Sequence, residues 1–120
     1  EAAMTSAQHK LDNVMAIVDN NKLQQTNFVR AIKQLDPIGS RFAAFGWNVI
    51  NVANGHNYAE ITDAIRRGHK SKFRPTIIIC DTVKGKGVPF AEHKAGYHGV
   101  ALSEEEMAVA IPILEKEIGL

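Results

Sequence analysis

The chain has 120 residues, with 14 Lys and Arg against 13 Asp and Glu, for a net charge of +1. That length supports one modest core, and the near-neutral balance excludes the broad basic field that nucleic-acid binding requires. No apolar stretch approaches the ~20 residues of a membrane-spanning helix. Cys80 is the single cysteine, so an internal disulfide is impossible, which fits a reducing compartment. Glu1-Ala2-Ala3-Met4 carries no basic region and no signal-like apolar core. These features predict a cytoplasmic protein with neither nucleic acid nor membrane as partner.

Residues 1–8 are rich in alanine and read as a helix that opens without a cap, as though the chain starts inside it. A first strand covers residues 14–19. Residues 24–35 are polar and ambiguous, a loop with a short helix. Asp36-Pro37 reads as a helix start, with Asp36 as N-cap and Pro37 at the first helical position. This helix runs to about residue 45, where Gly46 ends it. A second strand spans residues 47–52, and Asn54-Gly55-His56 turns the chain.

Asn57 caps the next helix, with Glu60 as its capping-box partner. Tyr58, Ile61, Ala64 and Ile65 form its apolar stripe, and it ends near Gly68. Pro75 precedes the third strand, residues 76–81. A long glycine-bearing loop covers residues 84–100. Ser103 then opens a last helix, with Glu106 completing a capping box and Pro112 expected to kink or split it.

The order α-β-α-β-α-β-loop-α predicts an α/β fold, a parallel sheet flanked by helices. Three strands make a thin sheet, and 120 residues barely cover both of its faces. The uniformly apolar runs before Asp19 and Asp81 suit strands buried on both sides. Ligands in such sheets bind outside the carboxyl ends of the strands, and here two ends turn abruptly polar.

Asp19-Asn20-Asn21-Lys22-Leu23 offers amide and carbonyl oxygens, the donors that a hard cation such as magnesium prefers. An ordinary asparagine-rich turn is the alternative. Lys84-Gly85-Lys86-Gly87 offers charge and close backbone approach to an anion. It lacks the Walker A pattern, since Val88 follows Gly87, and a solvated basic turn is the alternative. An anion arriving at this loop is expected to order it by supplying partners for its donors. His98 lies farther along the same loop, and His56 reads as a packing or hydrogen-bonding residue of its turn. No pair of histidines has zinc-ligand spacing, and Cys80 reads as a small buried hydrophobe.

Taken in order, several segments resemble those of the transketolase family. Glu1-Ala2-Ala3 is similar to the end of the stretch that follows the family's Gly-Asp-Gly motif. Val18-Asp19-Asn20-Asn21-Lys22-Leu23-Gln24 resembles the second half of its cofactor motif. Phe42-Ala43-Ala44-Phe45-Gly46-Trp47-Asn48-Val49-Ile50 resembles its F-x-A-F-G-W-x-V segment, and Gly55-His56-Asn57 its D-G-H-D turn. Thr82-Val83-Lys84-Gly85-Lys86-Gly87 and Tyr97-His98-Gly99 resemble its K-T-x-K-G-x-G and W-H-G segments.

This resemblance implies a thiamine-diphosphate-binding fold. Residues 1–120 would be the C-terminal part of the diphosphate-binding domain, in the N-terminal subunit of a split transketolase. Asn21 would give a side-chain oxygen, and Leu23 its backbone carbonyl, to Mg2+ or Ca2+ bridging to thiamine diphosphate. Lys84 would lie at the cofactor pocket, and His98 would approach the diphosphate and take a catalytic part. The implied reaction moves a two-carbon ketol unit from a ketose phosphate to an aldose phosphate. The implied partner is a C-terminal subunit or pyrimidine-binding domain carrying the activating glutamate, in a homo- or hetero-oligomer, so the chain alone should be inactive. The alternatives are a 2-oxoacid dehydrogenase E1 component and a non-catalytic scaffolding subunit.

There are departures from the family pattern. Its Gly-Asp-Gly motif and earlier histidines are not among these residues. Gln25-Thr26-Asn27 replaces a glycine-containing stretch, and Tyr97 stands where the family segment has Trp.

Overall fold

The computed structural model describes residues 1–119. It divides into two compact units, residues 1–20 with 35–82, and residues 21–34 with the segment from 83 onward.

The first unit is built on a parallel sheet. Strands β1 (Met15–Asn20), β4 (Asn48–Val52) and β5 (Thr76–Asp81) pair in the order β1-β5-β4. β5 is central and every residue from Thr76 to Cys80 is buried, as a strand covered on both faces should be. Alternation sends its side chains to opposite layers. Ile78 and Cys80 join Ile50, Val52 and Ala64 on one face, with Ile61 and Ile65 of α4 (Tyr58–Lys70) packed against them. Ile77 and Ile79 join Trp47 on the other, under Ala3 and Ala7 of α1 (Ala2–Gln8) and Ile38 and Phe42 of α3 (Ile38–Ala44). Ile77 and Ile78 are fully buried, which stabilises the fold by about 1.5–3 kcal/mol each.

Helices thus cover both faces of the sheet, more completely than the length suggested. The exception is Ile17 on β1, which is 58% exposed. Trp47 ties the α1/α3 layer together. Its indole N–H donates to the Ala3 carbonyl at 2.9 Å, and its ring meets Phe42 edge-on at 5.2 Å.

Several boundaries differ from the sequence reading. α3 begins one residue late: Pro37, in extended backbone, is its N-cap, no side chain caps it, and Asp36 stands outside the helix. At α4, Asn57 Oδ1 accepts the N–H groups of Ala59 and Glu60 as expected. The Glu60 carboxylate instead accepts the Asn54 N–H, because the Asn57 N–H is engaged by the Asn54 carbonyl. Tyr58 lies outside the apolar stripe at 85% exposure.

Gly68 does not stop α4, which continues to Lys70. Its role is close approach: a Cβ there would lie 2.5 Å from Met15 Cε and 3.2 Å from Thr76 Cγ2.

In the second unit, the ambiguous stretch folds as a small hairpin, β2 (Leu23–Gln24) with β3 (Asn27–Phe28), followed by α2 (Val29–Ile32). Gln25 takes φ +39° at the first position of the two-residue turn, where tight hairpins call for positive φ. Arg30 lies 5.4 Å over the Phe28 ring.

Helix α5 (Glu104–Ile118) opens on the expected reciprocal Ser103/Glu106 box. Pro112 lies within it without splitting it. The ring removes one amide donor, a loss this helix absorbs because most of that turn is solvent-exposed. No helix among the described residues is long and apolar enough to cross a membrane.

Candidate functional site

The parallel register brings the two polar strand ends side by side, pairing Asp19 with Cys80 and Asn20 with Asp81. Asn20 Nδ2 donates to Asp81 Oδ1 at 2.7 Å, and the Thr82 hydroxyl donates to the Asp19 carboxylate. The turn after β4 joins them, the Gly55 N–H donating to the Asp81 carbonyl at 2.7 Å. Gly55 is required there: a Cβ would lie 2.5 Å from Thr82 Cγ2, 2.8 Å from the Asp81 oxygen and 2.9 Å from Cys80 Cβ.

Cys80 is buried as expected. Burial, followed by the charges of Asp19 and Asp81, pushes its thiol up, so it is an inert thiol and not a nucleophile. His56 is exposed and its N–H donates to Asn54 Oδ1 at 3.0 Å, a turn contact as read.

Asn21 follows β1 directly in sequence. Its Oδ1 accepts the Leu23 N–H at 2.9 Å, and Lys22 between them takes φ +65°. This is an asparagine turn that folds the Leu23 backbone toward the Asn21 side chain. An amide oxygen carries two lone pairs, so accepting this N–H is compatible with ligating a cation. Both donors are hard oxygens, the class that Mg2+ and Ca2+ take. Among the described residues no group of three or more His, Cys, Asp or Glu could hold a metal.

The loop after β5 is a folded structure. The Lys86 N–H donates to the Val83 carbonyl at 3.2 Å, Val88 to Gly85 at 3.0 Å, and His93 to Lys84 at 3.1 Å. The Gly87 N–H donates to Glu92 Oε1 at 3.2 Å, and Lys86 Nζ lies 3.5 Å from the same oxygen. The Gly87 N–H, helped by the Lys86 charge, holds the Glu92 carboxyl below its usual range.

The amides of Lys86, Gly87 and Val88 are engaged within the loop, by the Val83 carbonyl, Glu92 and the Gly85 carbonyl. The positive φ values of Gly85 (+75°) and Gly87 (+91°) make the turn. A Cβ at Gly85 would lie 2.8 Å from the Ala91 carbonyl.

Lys84 is half-buried and lines a cavity of about 270 Å³ with Lys86, Val88, Tyr97, Val100 and Leu114. His98 is exposed, its N–H donating to the Ala95 carbonyl at 2.9 Å. Neither Asn21 nor His98 lines that cavity. Sequence reasoning missed Glu92 and the bond from the Tyr97 hydroxyl to Glu106 Oε1 at 2.6 Å. A glutamate five residues beyond a glycine turn has no periodic signature. Glu106 was legible only as a helix cap.

A parallel sheet whose carboxyl edge gathers amide, carboxylate and hydroxyl groups, with a lysine-glycine loop after its central strand, defines a cofactor-binding α/β domain. The description of the matching family is transketolase, thiamine diphosphate binding domain, over residues 1–116, and the chain belongs to that family.

The chain is 38% identical, over 98% of its length, to the 6-deoxy-6-sulfo-D-fructose transketolase subunit SqwG of a Clostridium species, of which the match covers 42%. It is 37% identical to an apulose-4-phosphate transketolase subunit of Phocaeicola vulgatus, covering 98% of this chain and 44% of that protein. The transketolase structure from Campylobacter jejuni superimposes with a TM-score of 0.86 at 32% identity, over 99% of this chain and 18% of that one. The chain thus spans about two fifths of the curated relatives it matches.

Proposed function

We propose that this chain supplies the metal- and diphosphate-binding part of a transketolase that moves a two-carbon ketol unit from a ketose phosphate to an aldose phosphate. Residues 1–120 form the C-terminal part of the diphosphate-binding domain in the N-terminal subunit of a split enzyme, and the enzyme works in the cytoplasm. The Asn21 turn carries this reading. Asn21 Oδ1, which folds back on the Leu23 N–H at 2.9 Å, and the Leu23 carbonyl are the protein oxygens offered to Mg2+, with Ca2+ as a substitute.

Thiamine diphosphate, when bound, supplies the electron sink for making and breaking the carbon–carbon bond. The protein's part is to bind and orient. Lys84 brings a positive charge to the diphosphate side of the pocket. His98, exposed on its loop, presents ring nitrogens that can serve as hydrogen-bond donor and acceptor and is the residue proposed to act beside the diphosphate and substrate. Two relatives are named as subunits, one for 6-deoxy-6-sulfo-D-fructose and one for apulose-4-phosphate, which supports both a separate C-terminal partner and an anionic sugar as substrate.

The test is reconstitution. The full-length protein is assayed for ketol transfer alone and with its C-terminal partner, and mass in solution is measured for both. Turnover confined to the mixture, in a complex containing both chains, is expected. Turnover by the protein alone as a monomer would overturn the split-subunit reading.

A further inference from the structure

The Glu106 carboxylate makes two bonds with its two oxygens. Oε2 accepts the Ser103 N–H at 2.9 Å, closing the capping box in which Ser103 Oγ accepts the Glu106 N–H at 3.2 Å. Oε1 accepts the Tyr97 hydroxyl at 2.6 Å. Capping α5 needs only the first of these. The second reaches back across the loop, and Tyr97 and Ser103 are the residues that flank the segment 98–102. One carboxylate therefore closes both ends of the short segment that begins with His98.

Its anchor is firm. Glu106 sits in the first turn of a helix of 15 residues, where a negative charge is favoured. The Tyr97 ring lies 6.0 Å from Phe90, and a short 3-10 turn, Ala95–Tyr97, delivers the chain to His98. Hydrogen bonds to an ionised carboxylate are the short, strong class.

We propose that Tyr97 and Glu106 form a strap that positions His98. The proposal deepens the functional reading above and rests on it for what His98 does, but not for the strap itself. Tyr97 and Glu106 are positioning residues: neither needs to touch substrate. The strap confines the His98 backbone, so that the imidazole meets its target without first ordering an open loop.

The experiment uses the full-length protein with its partner and thiamine diphosphate. Tyr97→Phe removes the hydroxyl and keeps the ring against Phe90. Glu106→Gln keeps a cap acceptor and removes the charge. Amide exchange at His98 and Gly99 should quicken about tenfold in Tyr97→Phe, the effect of one lost hydrogen bond, and somewhat less in Glu106→Gln, with β5 amides unchanged in both. The turnover number should fall several-fold while KM for the sugar donor stays within about twofold.

Unchanged exchange at His98 and Gly99 in both variants overturns the strap, whatever His98 does. Faster exchange with unchanged turnover overturns its positioning role. His98→Ala runs in parallel: if it leaves turnover intact, the functional reading of His98 fails, and exchange alone decides the strap.

Discussion

Gly55→Ala is the sharpest probe of how the candidate site is assembled. The added Cβ would meet Thr82 Cγ2 at 2.5 Å, the Asp81 carbonyl oxygen at 2.8 Å and Cys80 Cβ at 2.9 Å. A threonine methyl can rotate aside, but the other two neighbours belong to the end of the central, buried strand. The turn must therefore back away, and the 2.7 Å bond from the Gly55 N–H to the Asp81 carbonyl lengthens or breaks. Overpacking of this kind costs about 1–3 kcal/mol, and the weakened hydrogen bond about 0.5–1.5 kcal/mol more. The sum is a large share of the ~5–15 kcal/mol that a typical domain has.

Denaturant unfolding of the full-length variant should show a lower midpoint with an unchanged slope. Thiamine diphosphate affinity should fall with it, because the shifted Asp81 is also the acceptor of the Asn20 side chain. A loss below about 0.5 kcal/mol, the scatter of ordinary surface substitutions, would refute the claim that turn and strand end are packed in contact.

Two further outcomes follow from the second unit. Gln25→Gly should raise stability by about 1 kcal/mol in the same unfolding assay, since Gln25 holds φ +39°, a backbone region that glycine enters without the strain a longer side chain meets; a loss of stability would contradict a left-handed backbone at this turn. The Glu106 carboxyl is held down by the Tyr97 hydroxyl and then the Ser103 N–H, and Glu92 by the Gly87 N–H. Both are lower folded than unfolded, so their contribution is complete above the ordinary glutamate value of ~4.3 and is lost as pH falls through the native values. Stability should be flat from neutral pH down to about 5 and decline in acid. An NMR titration of the side-chain carboxyl carbons should place Glu106 below that ordinary value in the native protein and higher in Tyr97→Phe.

What the sequence revealed follows from the range over which its signals act. β5 was legible residue for residue because Ile77, Ile78, Ile79 and Cys80 form an unbroken apolar run, set between Pro75-Thr76 and the polar residues that begin at Asp81. The α5 start was legible because a capping box is a local code. The β2–β3 hairpin was not: its two-residue strands are too short for any periodicity, and Gln25 occupies a turn position that usually carries glycine or asparagine. Pro37 and Gly68 were misjudged because both residues have several uses, and only packing distinguishes a stop from a close approach. At the site, the chemical types at Asn21, Leu23, Lys84 and His98 could be named from motif and resemblance. The internal partners of the loop, Glu92 and the Tyr97–Glu106 pair, are contacts across sequence that no spacing rule encodes.

The central claim is that Asn21 and Leu23 offer oxygens to a metal that secures the cofactor. Titration of thiamine diphosphate into the full-length protein with its partner, over a range of Mg2+ concentrations, tests it most directly. Binding should strengthen with Mg2+ in the wild type. In Asn21→Ala it should weaken at limiting Mg2+ by about 1–3 kcal/mol, or roughly 5- to 150-fold. Affinity that ignores Mg2+, or that is the same in Asn21→Ala as in the wild type, would contradict the assignment.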